Sequence, residues 1–368
     1  MMVDYPQKKC CLLITALSAV LTLWGLLAIY RLTALTGDDA DLLLRQSLWA
    51  VTAWCIFWKL SQLQFTVIVR ACYLLVPVGA LAMLLLPLFG LSINGMHGWY
   101  ALGALTIQPS ELLKPFYIVF LIQLLQNQHR PEWQQITLAG SVILLFILLL
   151  LLQPDLGTML VYAAGGAGAL YFNRVRLRWL LLSLGGSAAL GVIAIARHGY
   201  MLDRVLNFWQ PQLDPAGGSW HLRQFAIAVA RGEFTGVKSQ MAVWSNSFLP
   251  LAHNDSIFAA CSEMLGFCGS LVLLLLLGGL FYNCFRLAQL QTDPMRRAVI
   301  DALSCMLLLQ TLLHILVNLG LLPPTGVTLP LISYGGSSLT GTMILLAIII
   351  TAGEQHNSDC PPAEKIKR

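Results

Sequence analysis

Three acidic residues sit among neighbours that suit chemistry on a polar ligand. Asp255 lies in His253-Asn254-Asp255, and Asp155 follows Gln153-Pro154. Glu111 closes Gln108-Pro109-Ser110-Glu111, with Lys114 three residues on. A carboxylate can take a proton from an attacking hydroxyl, and nearby cations can stabilise charge that develops on a leaving group. Each residue also has a plain structural reading. Asp255 alone fits a helix N-cap. Glu111 and Lys114 are spaced to pair on a helix, either as a structural ion pair or as one that also shapes a polar cavity. Glu263, two turns beyond Asp255, is either bonded to a neighbouring helix or part of such a cavity. Gly335 to Ser338 alone would serve close helix packing.

The elements that position these residues are membrane spans. The chain has 368 residues, of which 57% are hydrophobic and 11% charged. Soluble domains run near about a quarter charged. Val142 to Leu152 is apolar without a break. Runs of about 18 or more such residues read as spanning helices. Ten spans are expected, at 11–31, 47–66, 70–89, 109–127, 136–153, 157–172, 180–196, 254–285, 298–320 and 331–352. The expected fold is an all-α polytopic membrane protein, a single domain over 1–368. The first apolar stretch is too long for a signal-peptide core and should remain as a helix. The nine cysteines lack metal-ligand spacing, and most fall inside apolar runs.

Basic residues set the orientation. Lys8, Lys9, Lys59, Arg70, Arg130, Arg174, Arg176, Arg178, Arg286, Arg296, Arg297, Lys365, Lys367 and Arg368 occupy alternate connections and both termini. Those segments face the cytoplasm. The opposite connections are 32–46 (acidic, with Asp38, Asp39 and Asp41), 90–108, 153–156, 197–253 and 321–330. The polar residues named above all fall at that outer end, as do Asn94, Gly95, Trp99, Asn318 and Pro323 to Gly326. Their convergence on one leaflet suggests one site. Residues 197–253 form the only long connection. Trp220, Leu222, Phe225, Ala226 and Val229 have helical spacing there and predict an amphipathic helix at the interface. The loop carries Arg197, Arg204, Arg223, Arg231 and Lys238 against Asp203, Asp214 and Glu233. That excess suits an anionic ligand such as a lipid pyrophosphate.

Five ordered motifs then point to a family. Asn94-Gly95, Trp99, Gln108-Pro109-Ser110-Glu111 and Lys114 resemble the NG…W…QPSE..K pattern of the SEDS proteins, the RodA, FtsW and SpoVE group. Gln153 to Thr158 is similar to that family's QPDLGT. Arg204, Phe208 and Asp214-Pro215 resemble its R…F…DP segment. Leu249-Pro250 with His253 to Phe258 resembles LPE.HTDFIF. Pro324-Thr325-Gly326, Leu329-Pro330 and Ile332 to Ser338 match PTG..LP..SYGGSS.

The resemblance implies ten helices and polymerisation of lipid II at the outer face of the bacterial cytoplasmic membrane. It makes Asp255 the catalytic carboxylate. Trp99, Glu111, Lys114, Asp155, Arg204, Arg223, His253, Ser333 and Ser337 become candidate substrate-binding residues. Loop cations, or a divalent cation (Mg or Mn), would stabilise the leaving pyrophosphate. A class B penicillin-binding protein is the implied partner. No organic cofactor and no nucleic acid is expected. Several positions depart from the pattern: Leu251 replaces a Glu, Asn254 and Ser256 flank the key Asp, Ser262 and Met264 alter a GEE(L/F)G stretch, His97 and Gly98 precede Trp99, and His221 replaces a Gln. A scaffold that recruits a penicillin-binding protein, or a lipid II flippase, are the alternative functions.

The alternation of basic connections is testable directly. Reporter fusions at Asn173 and Asp214 should give opposite signals. Matching signals would overturn both the topology and the one-face site.

Overall fold

The fold is that of a computed structural model describing residues 4–33, 40–93, 96–103, 105–197, 199–210, 220–237, 248–249 and 251–354. Asp38, Asp39, Asn94, Gly95, Asp214, Pro215, Lys238, Pro250, Lys365, Lys367 and Arg368 of the sequence reading lie outside these residues.

Twelve helices occur among the described residues: α1 (Asp4–Thr33), α2 (Ala40–Ser61), α3 (Phe65–Phe89), α4 (Pro109–Leu125), α5 (Glu132–Leu152), α6 (Leu156–Phe172), α7 (Leu177–Arg197), α8 (Gly199–Trp209), α9 (Trp220–Arg231), α10 (Ile257–Gln289), α11 (Pro294–Asn318) and α12 (Gly336–Gly353). Seven of them, α1, α3, α5, α7, α10, α11 and α12, are long and apolar enough to cross a membrane. The chain is therefore a helical polytopic membrane protein. The other three expected spans coincide with α2, α4 and α6. α6 is apolar but short, and α2 carries Asp41, Arg45 and Lys59.

α2 begins at Ala40, so 32–46 is not all connection; Arg45 lies 2.7 Å from Asp41, one turn back on that helix. Residues 90–108 hold a small antiparallel sheet, a local addition to the all-α fold. Strands β1 (Leu91–Ile93), β2 (Met96–Leu102) and β3 (Leu105–Ile107) pair in that order. The Tyr100 hydroxyl donates to the Ala82 carbonyl at 2.7 Å and fixes the sheet to α3. The connection 197–253 contains α8 as well as the expected amphipathic helix, α9.

α12 lies at the centre, almost wholly buried and enclosed by α2, α4 and α11. α10 packs on α1 and α11, and α9 lies against α10. The face α9 buries is Gln224, Phe225 and Ala228, whereas Ala226 is exposed. It packs into a second apolar cluster with Ala259, Ala260, Met264 and Val317. α9 is thus a wall of the fold rather than a helix lying free on the bilayer surface.

α10 is interrupted at Gly266, where φ is 66° and ψ is −167°. In hydrocarbon, backbone groups released by such a break must find partners. The chain after α9 supplies them. Glu263 O accepts from Val237 N at 2.9 Å, and Phe267 N and Cys268 N donate to the carbonyls of Glu233 and Phe234. The fully buried Glu263 carboxylate pairs with Arg231 of α9 at 3.0 Å. Of the two readings of Glu263, the bond to a neighbouring helix is the one observed.

A Cβ at Gly266 would stand 2.3 Å from the Gly236 nitrogen. Its backbone region is nearly exclusive to glycine, and forcing an L residue into it costs about 1–3 kcal/mol. Gly266→Ala should therefore lower the thermal midpoint in detergent. Gly278→Ala, in open helix of the same element, should leave it unchanged or slightly raised. Equal midpoints for the two variants would refute this packing.

Candidate functional site

The first wall of the site is built where α4, α6 and α12 begin. Asp155 caps α6: its Oδ1 accepts from Thr158 N at 2.9 Å, and its Oδ2 accepts from Gln108 Nε2 at 3.2 Å. Gln108 N donates to Ser337 Oγ at 2.9 Å. One turn into α4, the buried Glu111 and Lys114 pair at 2.7 Å. Lys114 also donates to Gln310 Oε1 at 2.9 Å, and Gln310 Nε2 donates to Thr328 O at 3.2 Å.

The second wall carries Asp255. Its reading as a helix N-cap is not what the structure shows, because Ser256 holds the cap position of α10. The Asp255 backbone is fixed from α11, where Asn318 Nδ2 donates to Asp255 O at 2.8 Å while Asn318 Oδ1 accepts from Ala259 N at 3.1 Å. Tyr334 N donates to His253 O at 2.7 Å, and Ser333 Oγ donates to Asn254 O at 2.9 Å. His314 Nδ1 lies 2.7 Å from Val327 O. The Tyr334 and Ser333 bonds join the segment 251–256 to the segment 325–335, and Asn318 and His314 hold the two segments to α11. The Asp255 carboxylate faces Gly326, where a Cβ would be 3.8 Å from Asp255 Oδ2.

Between the walls is a cavity of about 560 Å³. It brings together Asp255, Asp155, Glu111, Trp99, Arg204 and Ser337 of the predicted residues. Its far side is apolar, formed by Leu160 of α6 with Ala188, Val192 and Ile195 of α7. Lys114, His253 and Ser333 lie behind the lining and hold residues that form it. Arg223 is exposed on α9 and is not part of the lining. The sequence reading missed Arg45, which lines the cavity from α2, and the supporting residues Gln46, Gln310 and His314. The spacing of Asp41 and Arg45 was a signal for a helix there. Gln310 and His314 are single polar residues in an apolar run and gave none.

Burial raises the Asp255 carboxyl above the usual carboxylate range; the Arg204 charge pulls it down and Asp155 pushes it up. Burial also raises Asp155, against the hydrogen bonds from Thr158. His221, near Arg204, is lowered by burial and by that cation. Among the described residues, no group of three His, Cys, Asp or Glu side chains is arranged to hold a metal ion.

Residues 9–358 match the family model described as Cell cycle protein, that of FtsW, RodA and SpoVE. The probable peptidoglycan glycosyltransferase FtsW of Alcanivorax borkumensis is 34% identical over 298 residues, 78% of this chain and 76% of that protein. Its counterpart in Nitrosococcus halophilus is 34% identical over 327 residues, 85% and 83% of the two chains. Among solved structures, a chain from a study of polymerization and crosslinking by a peptidoglycan synthase complex superposes with a TM-score of 0.77 at 29% identity, over 92% of this chain and 96% of that one. The rod shape determining protein RodA of Thermus thermophilus gives a TM-score of 0.70 at 26% identity, over 92% and 95%.

With Asp255 as the proposed base, which must be ionised to act, the rate should fall on acidification through its raised pKa, at a higher pH than an ordinary carboxylate of about 3.9 would give. Two variants should move this acid limb in opposite directions. Arg204→Gln removes the lowering charge and shifts the limb up; Asp155→Asn removes a raising charge and shifts it down. Residual activity against pH reads both, and a limb fixed in both variants would mean that another group titrates.

Proposed function

Because the chain belongs to the Cell cycle protein family of FtsW, RodA and SpoVE, we propose that this peptidoglycan glycosyltransferase polymerises lipid II at the outer face of the bacterial cytoplasmic membrane, with Asp255 as its general base. The observation that carries the reading is the Asp255 carboxylate facing the cavity, with the Arg204 charge acting on it. Asp255 takes the proton from the acceptor sugar hydroxyl as that oxygen attacks the anomeric carbon of the donor. The anomeric carbon–oxygen bond breaks, and the pyrophosphate leaves with the electron pair. Arg204 stabilises its charge. Glu111, Asp155 and Trp99 border the sugars, and the apolar side between α6 and α7 receives a polyprenyl chain.

In this reading ten helices cross the bilayer, both termini are cytoplasmic, and residues 197–253 form one extracytoplasmic loop. The partner is a class B penicillin-binding protein, which would cross-link the strands as they emerge. Support comes from the similarity to a chain of a peptidoglycan synthase complex. The protein serves cell-wall synthesis in shape, elongation or division.

Two substitutions separate chemistry from architecture. Asp255→Asn keeps the shape of the side chain and removes a buried charge, so thermal stability should hold or rise. Polymerisation should fall by about 100- to 10,000-fold. Glu111→Gln strands the buried Lys114, and breaking such a pair costs about 3–5 kcal/mol, so stability and activity should fall together. Glycan-strand formation from lipid II, beside thermal midpoints in detergent, reads both. If Asp255→Asn polymerises like wild type, the catalytic assignment fails. If wild type is inert even with its penicillin-binding partner, the polymerase reading gives way to a scaffold.

A further inference from the structure

The cavity lining carries a second cation besides Arg204. Arg45 lies in the second turn of α2, and its neighbours there fix the position of the helix. Gln46 Oε1 accepts from Gly335 N at 3.1 Å, and Gln46 Nε2 donates to Ser333 O at 3.4 Å. The Trp49 ring packs against Gly336 so closely that a Cβ there would be 2.1 Å from it. With α2 held to the 333–336 turn in this way, Arg45 and Trp49 both face the cavity. Arg45 is paired with Asp41 at 2.7 Å, but both side chains are well exposed. Exposed pairs are worth little and can yield to a doubly charged ligand.

The two cations sit on different elements. Arg204, on α8, donates to Pro324 O at 3.4 Å, whereas Arg45, on α2, stands beside Gln46, which bonds to Gly335 N and Ser333 O. The proposed reaction needs such a separation. Both substrates are lipid-linked sugar pyrophosphates, but only the donor's pyrophosphate is attached to the reacting carbon. The acceptor attacks through a hydroxyl of its outer sugar, so its own pyrophosphate lies a disaccharide away from Asp255. One anion must be held beside the base and the other apart from it. The outward side of α2 next to Arg45 is apolar and exposed, with Leu44, Leu48 and Val51. It gives the acceptor's hydrocarbon chain a surface of its own, distinct from the apolar side of the cavity between α6 and α7.

We propose that Arg45 is the headgroup contact of the acceptor lipid-linked sugar pyrophosphate, and that Asp41 competes with that headgroup for the same guanidinium. The inference rests on the polymerase reading. The bonds made and broken are unchanged: the acceptor oxygen gains the anomeric carbon, its proton passes to Asp255, and the donor's pyrophosphate leaves.

The test uses the full-length protein with two lipid II substrates. One has its acceptor hydroxyl blocked and can act only as donor; ordinary lipid II is then varied as the acceptor. Initial rates of the coupled product should show the acceptor KM raised about tenfold in Arg45→Gln, the scale of one lost charge-assisted hydrogen bond. The donor KM and kcat should change little. Arg45→Lys should recover most of the loss, and Asp41→Asn should lower the acceptor KM. Arg204→Gln should act on the donor KM and on kcat instead. A rise in both KM values together, or in neither, overturns the assignment. Native mass spectrometry of lipid II bound to Asp255→Asn, with and without Arg45→Gln, reads the same contact without turnover. Wild type that binds lipid II through Arg45 and fails to polymerise would sink the polymerase reading alone. Binding indifferent to Arg45 would sink the subsite.

Discussion

The carboxamide of Asn318 holds three backbone groups at once: the carbonyls of Asp255 and His314, and the amide of Ala259. It is fully buried. Its importance follows from the solvent. In a membrane, backbone that leaves helical geometry must be bonded within the protein. The site is built from such backbone, at 251–256 and 325–335, so side chains from regular helices must complete it. Gln46 from α2, Gln310, His314 and Asn318 from α11, and Ser333 within the turn all do so. The position of Asp255 is thereby set by α11, a helix that contributes no residue to the cavity lining.

The same apolar setting distinguishes the three carboxylates of the cavity. Glu111 has Lys114 at contact distance. Asp155 accepts from the Thr158 amide and from Gln108. Both are tied to the framework by strong donors. Asp255 is held mainly through its backbone, and Arg204 is the one charge acting to lower its pKa. A carboxylate fixed in position, partly desolvated and only lightly satisfied is suited to exchange a proton. This difference in bonding, rather than the mere presence of an acid, singles out Asp255.

How much of this was legible depended on whether a residue acts through its neighbours in sequence. The apolar runs marked the helices because lipid demands them. Asp155, Glu111 and Asp255 sat in short polar motifs that stand out from those runs. The helical spacing in Trp220 to Val229 located α9, but its buried face depended on contacts with α10 and was misjudged at Ala226, which is exposed. The strands at 91–107 went unread although their pairing is local, with Ile93 opposite Met96 and Leu102 opposite Leu105; Asn94-Gly95 in the sequence was a hairpin signal, passed over because β1 and β3 are only three residues long. Gln310 and His314 are isolated in sequence, and their partners at 327–328 become neighbours only when the chain turns back on itself. The break at Gly266 was equally hidden: a single glycine in a long apolar run gives no sign that Glu233 to Val237 will bond there.

The departures from the family pattern around Asp255 fall into two groups in space. Ser262 and Met264 lie behind the site. Ser262 bonds to Phe258 O and to Ser270, and Met264 packs with Phe225 and Ala228 beneath α9. Neither residue belongs to the cavity lining. Leu251 and Asn254, in contrast, line the cavity. A Glu at position 251 would put a further carboxylate in the same lining and would oppose ionisation of Asp255. With Leu there, Asp155 is the one like charge that raises Asp255, against Arg204, which lowers it. Replacing that acid removes a repulsion from Asp255 without removing its carboxylate, its backbone clamp or its cation. The altered neighbourhood is therefore compatible with the proposed role of Asp255, and its expected effect is on the pH at which that carboxyl ionises.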